Sequence, residues 1–241
     1  MALPVLNDQP KYDVTIPSNG SVVRYRPYLV KEEKVLMMAL ESKDTQKALS
    51  AIVDTIESCV QDQLDTNILT TFDVEYLFTQ IRSKSVGETT KLNLPCSECG
   101  TPNEVEVNIA SITLDVPKVN KIVKITEDIS LTMKYPFYKE IINADIDQAK
   151  ASDSFKLIAK CLHSVQTKEE NILVKDESES DIQSFLESLT SEQFMKIQEF
   201  IESMPKMEHK IEFTCIKCGH KNERTLSGIN DFFQSASPMT H

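Results

Sequence analysis

Four of the six cysteines in this 241-residue chain fall into two pairs with the same internal spacing, Cys96-Ser97-Glu98-Cys99 and Cys215-Ile216-Lys217-Cys218. Their surroundings repeat as well. Cys96-Ser97-Glu98-Cys99-Gly100-Thr101-Pro102-Asn103-Glu104 aligns with Cys215-Ile216-Lys217-Cys218-Gly219-His220-Lys221-Asn222-Glu223, and five of the nine positions are identical. Two residues between thiolates let both sulfurs reach one metal ion at about 2.3 Å, and a glycine after the second cysteine permits the left-handed turn that aims backbone N–H groups at sulfur. Two such half-sites complete a tetrahedral shell. The expected site is therefore a single Zn²⁺ held by Cys96, Cys99, Cys215 and Cys218, one per chain. Its role would be structural, because four thiolates leave no open coordination position.

The 115 residues between Cys99 and Cys215 replace the 15–20 of a compact ribbon, so the two pairs must meet across a large insertion. Other readings of the same residues stay open at this point. A thioredoxin-like dithiol belongs at a strand-to-helix junction. Reduced cysteine turns could keep their shape without metal, and two separate sites could each be completed by a histidine such as His209 or His220. Cys59 and Cys161 stand alone in helix-like patterns and read as small core residues.

The elements that must position the cysteines follow from periodicity. Alternating stretches flank both pairs: Lys91-Leu92-Asn93-Leu94 and Val105-Glu106-Val107-Asn108-Ile109 around the first, and His209-Lys210-Ile211-Glu212-Phe213 before the second, so each reads as a strand, a cysteine turn and a returning strand. Asn19-Gly20 between residues 11–16 and 22–26 signals another hairpin. Helices are expected over 31–42, 45–60, 71–83, 153–163 and 181–189, the fourth with Phe155, Leu157, Ile158 and Cys161 facing inward and with His163 inside it. Thr190-Ser191-Glu192-Gln193 forms a capping box for a last helix carrying Phe194, Ile197, Ile201 and Met204. Strands are expected at 122–125, 129–135 and 172–174. The C-terminal stretch holds Phe232-Phe233, which would fold back onto the protein or anchor a partner.

The fold class is thus α+β: an N-terminal hairpin and helical region (1–90), paired zinc-ribbon-like hairpins (91–110 and 209–226), an inserted α+β region (111–208) and a C-terminal tail (227–241). A formal charge of −11 opposes a nucleic-acid or anionic-membrane role. The longest strongly apolar run, Val35–Leu40, is far short of a membrane span. The opening residues Met1–Asp8 lack a basic and a long apolar region, so a reducing cytoplasm is the expected compartment. No phosphate-binding loop, nucleophile elbow or zinc-protease helix is present. Four histidines suggest no triad and five glycines no phosphate cradle, so no enzyme and no small-molecule substrate is expected.

Taken together and in order, several segments resemble the T4-type bacteriophage baseplate hub family of hub subunits and hub-assembly chaperones. They are Val22-Val23-Arg24-Tyr25-Arg26-Pro27-Tyr28-Leu29-Val30-Lys31-Glu32-Glu33-Lys34, Phe72-Asp73-Val74-Glu75-Tyr76-Leu77-Phe78, Arg82-Ser83-Lys84-Ser85-Val86-Gly87-Glu88, Met133-Lys134-Tyr135-Pro136, Phe194-Met195-Lys196-Ile197-Gln198-Glu199-Phe200 and both Cys-x-x-Cys-Gly turns. The resemblance implies a non-catalytic viral protein made in the host bacterial cytoplasm. It would help the central tail hub assemble by binding other hub or tail proteins, with residence in the finished virion baseplate left open. Two other classes fit the cysteines alone: a zinc-ribbon transcription regulator or other zinc-stabilised adaptor, and a Cys-x-x-Cys thiol oxidoreductase.

Overall fold

Several helices begin where the sequence supplies a way to satisfy their first N–H groups. In the computed structural model, which describes residues 9–42, 44–112, 114, 116–117, 119–144 and 153–228, the chain forms two units. One comprises the described residues of Met1–Thr66, Phe72–Asp115 and Lys206–His241; the other comprises those of Asn67–Thr71 and Val116–Pro205. The fold is α+β, with small antiparallel sheets and seven helices among the described residues.

In the first unit, β1 (Tyr12–Thr15) and β2 (Val22–Tyr25) pair across a turn closed by Gly20, whose φ of 73° only glycine adopts without strain. Helix α1 (Val30–Glu41) starts at Leu29, which cannot cap through its side chain, so Glu32 does the work. Its Oε2 accepts the Leu29 N–H at 2.7 Å while its Oε1 pairs with Arg26 at 3.0 Å. Arg26 also donates to the carbonyls of Pro27 and Ser58, tying β2 to the end of α2 (Thr45–Cys59).

Both members of this pair are largely buried, at 13% and 8% side-chain exposure. Burial pushes the Glu32 carboxyl up, but the Arg26 guanidinium, the Leu29 N–H and Lys31 outweigh it and hold the group below its ordinary 4.5. Glu32→Ala should therefore cost about 2 kcal/mol at neutral pH, since hydrogen bonds to charged groups are worth roughly 1.5–3 kcal/mol. A lowered carboxyl stabilises the fold fully above pH 4.5 and loses that contribution as pH falls through its folded value. Urea unfolding should then show the gap between wild type and variant at pH 7 and its narrowing as pH falls below 4.5.

Helix α3 (Thr71–Ser85) buries Val74, Leu77, Phe78 and Ile81 on one stripe, the core face expected from their spacing. Cys59 and Cys161 are fully buried, and desolvation pushes their thiols to about 11 and about 12, which makes them unreactive packing groups. The hairpins β3 (Thr89–Pro95) with β4 (Pro102–Asn108) and β9 (Glu208–Thr214) with β10 (Lys221–Ser227) complete this unit.

The second unit holds a four-stranded antiparallel sheet in the order β5 (Ile122–Lys124), β6 (Ser130–Met133), β7 (Leu162–Gln166), β8 (Asn171–Leu173), with helices α4 (Tyr138–Asn143), α5 (Ser154–Cys161), α6 (Glu179–Glu187) and α7 (Ser191–Glu202). The Thr190–Gln193 capping box forms as its sequence indicates, with Gln193 N–H to Thr190 Oγ1 at 3.3 Å and Thr190 N–H to Gln193 Oε1 at 2.9 Å.

Two expectations need correction here. His163 lies on strand β7 and not on a helix, because Leu162 and Ser164 alternate inward, Leu162 pairing with β6 and Ser164 with both β6 and β8. Phe155 is 44% exposed, on the outer side of α5, where it stacks on Phe194 with ring centroids 5.0 Å apart. Phe232 and Phe233 lie outside the described residues.

Candidate metal centre

Each cysteine pair sits where a two-stranded ribbon turns back on itself. In the first turn the Cys96 N–H donates to the Thr101 carbonyl at 2.9 Å and the Gly100 N–H to the Cys96 carbonyl at 2.9 Å. The second repeats this, with Cys215 N–H to His220 O at 2.8 Å and Gly219 N–H to Cys215 O at 3.0 Å. Gly100 and Gly219 have φ of 67° and 73°, the left-handed conformation the motif requires. The match extends into the strands, since Leu94 faces Asn103 across the first ribbon as Phe213 faces Asn222 across the second.

Alternation gives each ribbon one apolar face, and these faces share one core. Leu92, Leu94, Val107, Ile109 and Ile112 from the first ribbon and its continuation cluster with Met207, Ile211 and Leu226 around the second, with Val105 and Phe213 packed at the margin. Helix α3 reaches this cluster through Thr79, whose Oγ1 lies 3.4 Å from Met207 Sδ. Apolar burial thus brings together two turns that are 115 residues apart in the chain.

At the end of that cluster the four sulfurs converge. Cys96 Sγ lies 3.7 Å from Cys218 Sγ, Cys99 Sγ lies 3.6 Å from Cys215 Sγ, and all four are within 4.8 Å of one another. The edge of a tetrahedron of sulfurs about a zinc ion with 2.3 Å bonds is about 3.8 Å, so the spacing of these donors fits a single tetrahedral ion. Every residue expected as a ligand is in the cluster. Neither His209, on β9, nor His220 belongs to it, and the two pairs do not form separate sites. Both pairs also lie between antiparallel strands rather than at the strand-to-helix junction of a dithiol oxidoreductase.

The electrostatics of the turns favour thiolate at the inner positions. Cys96 and Cys215 are 3% exposed, while Cys99 and Cys218 are open to solvent. The N–H groups of Cys99 and Glu98 hold the Cys96 thiol below its ordinary value, helped by the Asn222 amide. The N–H groups of Cys218 and Lys217 bring Cys215 down to about 6 against the opposing pull of burial. The fourth thiol goes the other way: the His220 N–H pulls Cys218 down, but desolvation and the other three sulfurs push it up to about 12. Four sulfurs cannot all ionise side by side without a cation among them. A divalent ion would supply the missing positive charge, and Cys96, Cys99, Cys215 and Cys218 are the residues that would hold it.

Two further residues of the site were not singled out by the cysteine spacing. Asn103 and Asn222, buried at 2% and 5% exposure, each reach from one ribbon to the turn of the other. Asn103 Oδ1 accepts the Ile216 N–H at 2.9 Å, and Asn222 Oδ1 accepts the Ser97 N–H at 2.9 Å. The signal was in the repeat itself, which places an identical asparagine seven residues after the first cysteine of each turn.

Among the described residues no helix is long and apolar enough to cross a membrane. No curated protein and no solved structure matches the chain significantly. The family model described as T4 bacteriophage base plate protein matches residues 9–234, which include both ribbons, all four clustered cysteines and both asparagines. With nearly its whole length matched, the chain belongs to the T4 bacteriophage base plate protein family.

Proposed function

We propose that this protein is a non-enzymatic baseplate hub protein that assists assembly of the central hub by binding other hub or tail proteins, and that Cys96, Cys99, Cys215 and Cys218 hold one structural Zn²⁺ per chain. The family match over residues 9–234 carries the baseplate reading and points to a structural rather than an enzymatic part. The four-sulfur cluster supports the metal reading. In this proposal the segments 91–110 and 209–226 act as one zinc-ribbon-like module. The 1–90 region precedes it, 111–208 is carried between its halves and 227–241 trails it.

Zinc suits this role because a closed thiolate shell contributes folding free energy and offers no reactive position. It would fix the early and late parts of the polypeptide as one binding surface made in the host cytoplasm and delivered to the tail baseplate. The net charge of −11 is consistent with protein partners rather than nucleic acid. Co-expression of the full chain with the remaining hub proteins should yield a complex that survives gel filtration. Failure to co-purify with any of them would overturn the assembly reading, whatever the metal content.

A further inference from the structure

The asparagines do more than fill the turns. Each Nδ2 donates to a carbonyl of its own ribbon, Asn103 to Thr101 O at 2.7 Å and Asn222 to His220 O at 3.0 Å. With its second hydrogen each also points at a sulfur of the opposite ribbon: Asn103 at Cys215 Sγ (3.9 Å) and Asn222 at Cys96 Sγ (3.6 Å). The Oδ1 atoms meanwhile hold the N–H groups of Ile216 and Ser97 on those same opposite turns. Each side chain therefore spans both ribbons without passing through a metal. The contacts fall only on Cys96 and Cys215, the two buried cysteines.

We propose that Asn103 and Asn222 are reciprocal positioning residues that assemble the two half-sites ahead of the metal. They divide the four sulfurs into an inner pair, Cys96 and Cys215, that retains the ion and an outer pair, Cys99 and Cys218, through which it exchanges. This rests on the zinc reading above. Three physical consequences follow. Oriented N–H donors lower the energy of the sulfur lone pairs they touch, so the inner thiolates are the less reactive ones. Solvent reaches the outer sulfurs first, so chelators and electrophiles begin there. The clamp is also unequal. Asn222 makes the shorter sulfur contact, and its Oδ1 takes a second hydrogen bond from the Ser97 hydroxyl at 2.9 Å, for which Ile216 has no counterpart.

The test uses the full-length protein loaded with zinc or with Co²⁺. Competition against a chromophoric chelator should show Asn103→Ala and Asn222→Ala weakening zinc binding about 10–100-fold, the usual reach of groups that orient metal ligands, with Asn222→Ala the worse. Asn103→Asp and Asn222→Asp keep the acceptor for the backbone N–H but lose the donor to sulfur and set a negative oxygen beside it. They should bind no better than the alanine variants, whereas a purely structural tie would be rescued by aspartate. In the Co²⁺ protein the sulfur-to-metal absorption should move to longer wavelength in every variant. On zinc-loaded wild type, N-ethylmaleimide adducts mapped by mass spectrometry should appear at Cys99 and Cys218 before Cys96 and Cys215, a readout independent of whether a variant folds.

Variants within about twofold of wild type, well below the span expected for such ligand-orienting groups, would overturn the clamp, as would rescue by aspartate or first attack on the inner pair. The zinc reading would survive any of these. Wild type that binds no zinc would instead remove the reading on which the clamp stands.

Discussion

Cys215→Ser is expected to weaken zinc binding by more than about a hundredfold and to leave the ribbon module markedly less stable. Structural zinc in small thiolate sites is worth about 10–16 kcal/mol at neutral pH, so losing one of four thiolates removes on the order of 3 kcal/mol, about a hundredfold in affinity. The loss should exceed that share. The Cys215 sulfur lies 3.6 Å from Cys99 and receives the Lys217 N–H at 3.4 Å and the Asn103 amide, and a serine oxygen is both harder and shorter. Cys99→Ser, at an exposed position without those amide donors, should weaken binding less. Titration with a competing chelator and thermal unfolding with and without added zinc measure both effects. Equal zinc affinity in Cys215→Ser and wild type would contradict the assignment of this sulfur.

Leu92→Ala should cost about 3–4 kcal/mol, the usual range for truncating a fully buried leucine whose surroundings cannot collapse into the gap. Leu92 is 0% exposed and sits in the cluster that joins the two ribbons, so the lost methyl groups come from their shared core rather than from one hairpin alone. An isolated two-stranded ribbon is marginal in water, and each of these depends on the other for its buried face. The substitution should accordingly lower metal affinity although Leu92 is not one of the four clustered ligands, because part of the binding free energy must then be spent on holding the ribbons together. Denaturant unfolding of the zinc-loaded and chelated proteins gives the coupling. If the cost of Leu92→Ala were the same with and without metal, and metal affinity were unchanged, the apolar cluster and the metal site would be independent.

Much of this architecture could be read from periodicity. Helix α3 was visible because Val74, Leu77, Phe78 and Ile81 fall on one stripe. The start of α7 was visible because Thr190 and Gln193 satisfy each other's backbone donors, and the β1–β2 turn because Asn19-Gly20 supplies the left-handed position. The paired cysteine ribbons were legible from two signals that agree, strand alternation on both sides of a turn and a repeated nine-residue pattern.

What escaped did so for physical reasons. Nothing local separates α5 from β7: the chain passes from Cys161 to Leu162 with no proline or glycine, and pairing with β6 and β8 decides the five residues that follow. Helix α4 is preceded at its N-cap by Phe137, a residue with no capping oxygen, and Glu140 supplies the cap by accepting the Phe137 N–H at 2.9 Å. The asparagines were visible as identities in the repeat, yet their reach across to the opposite turn depends on how two distant ribbons are set against each other. That information resides in tertiary packing.

Two pairs of sulfurs separated by 115 residues of chain are held to bind one ion. X-ray absorption at the zinc edge of the purified full-length protein, with the metal quantified by native mass spectrometry, tests it most directly. The expected result is one zinc per chain in a shell of four sulfurs at about 2.3 Å. A protein that folds with no metal, or a zinc whose shell contains nitrogen or oxygen in place of sulfur, would contradict it.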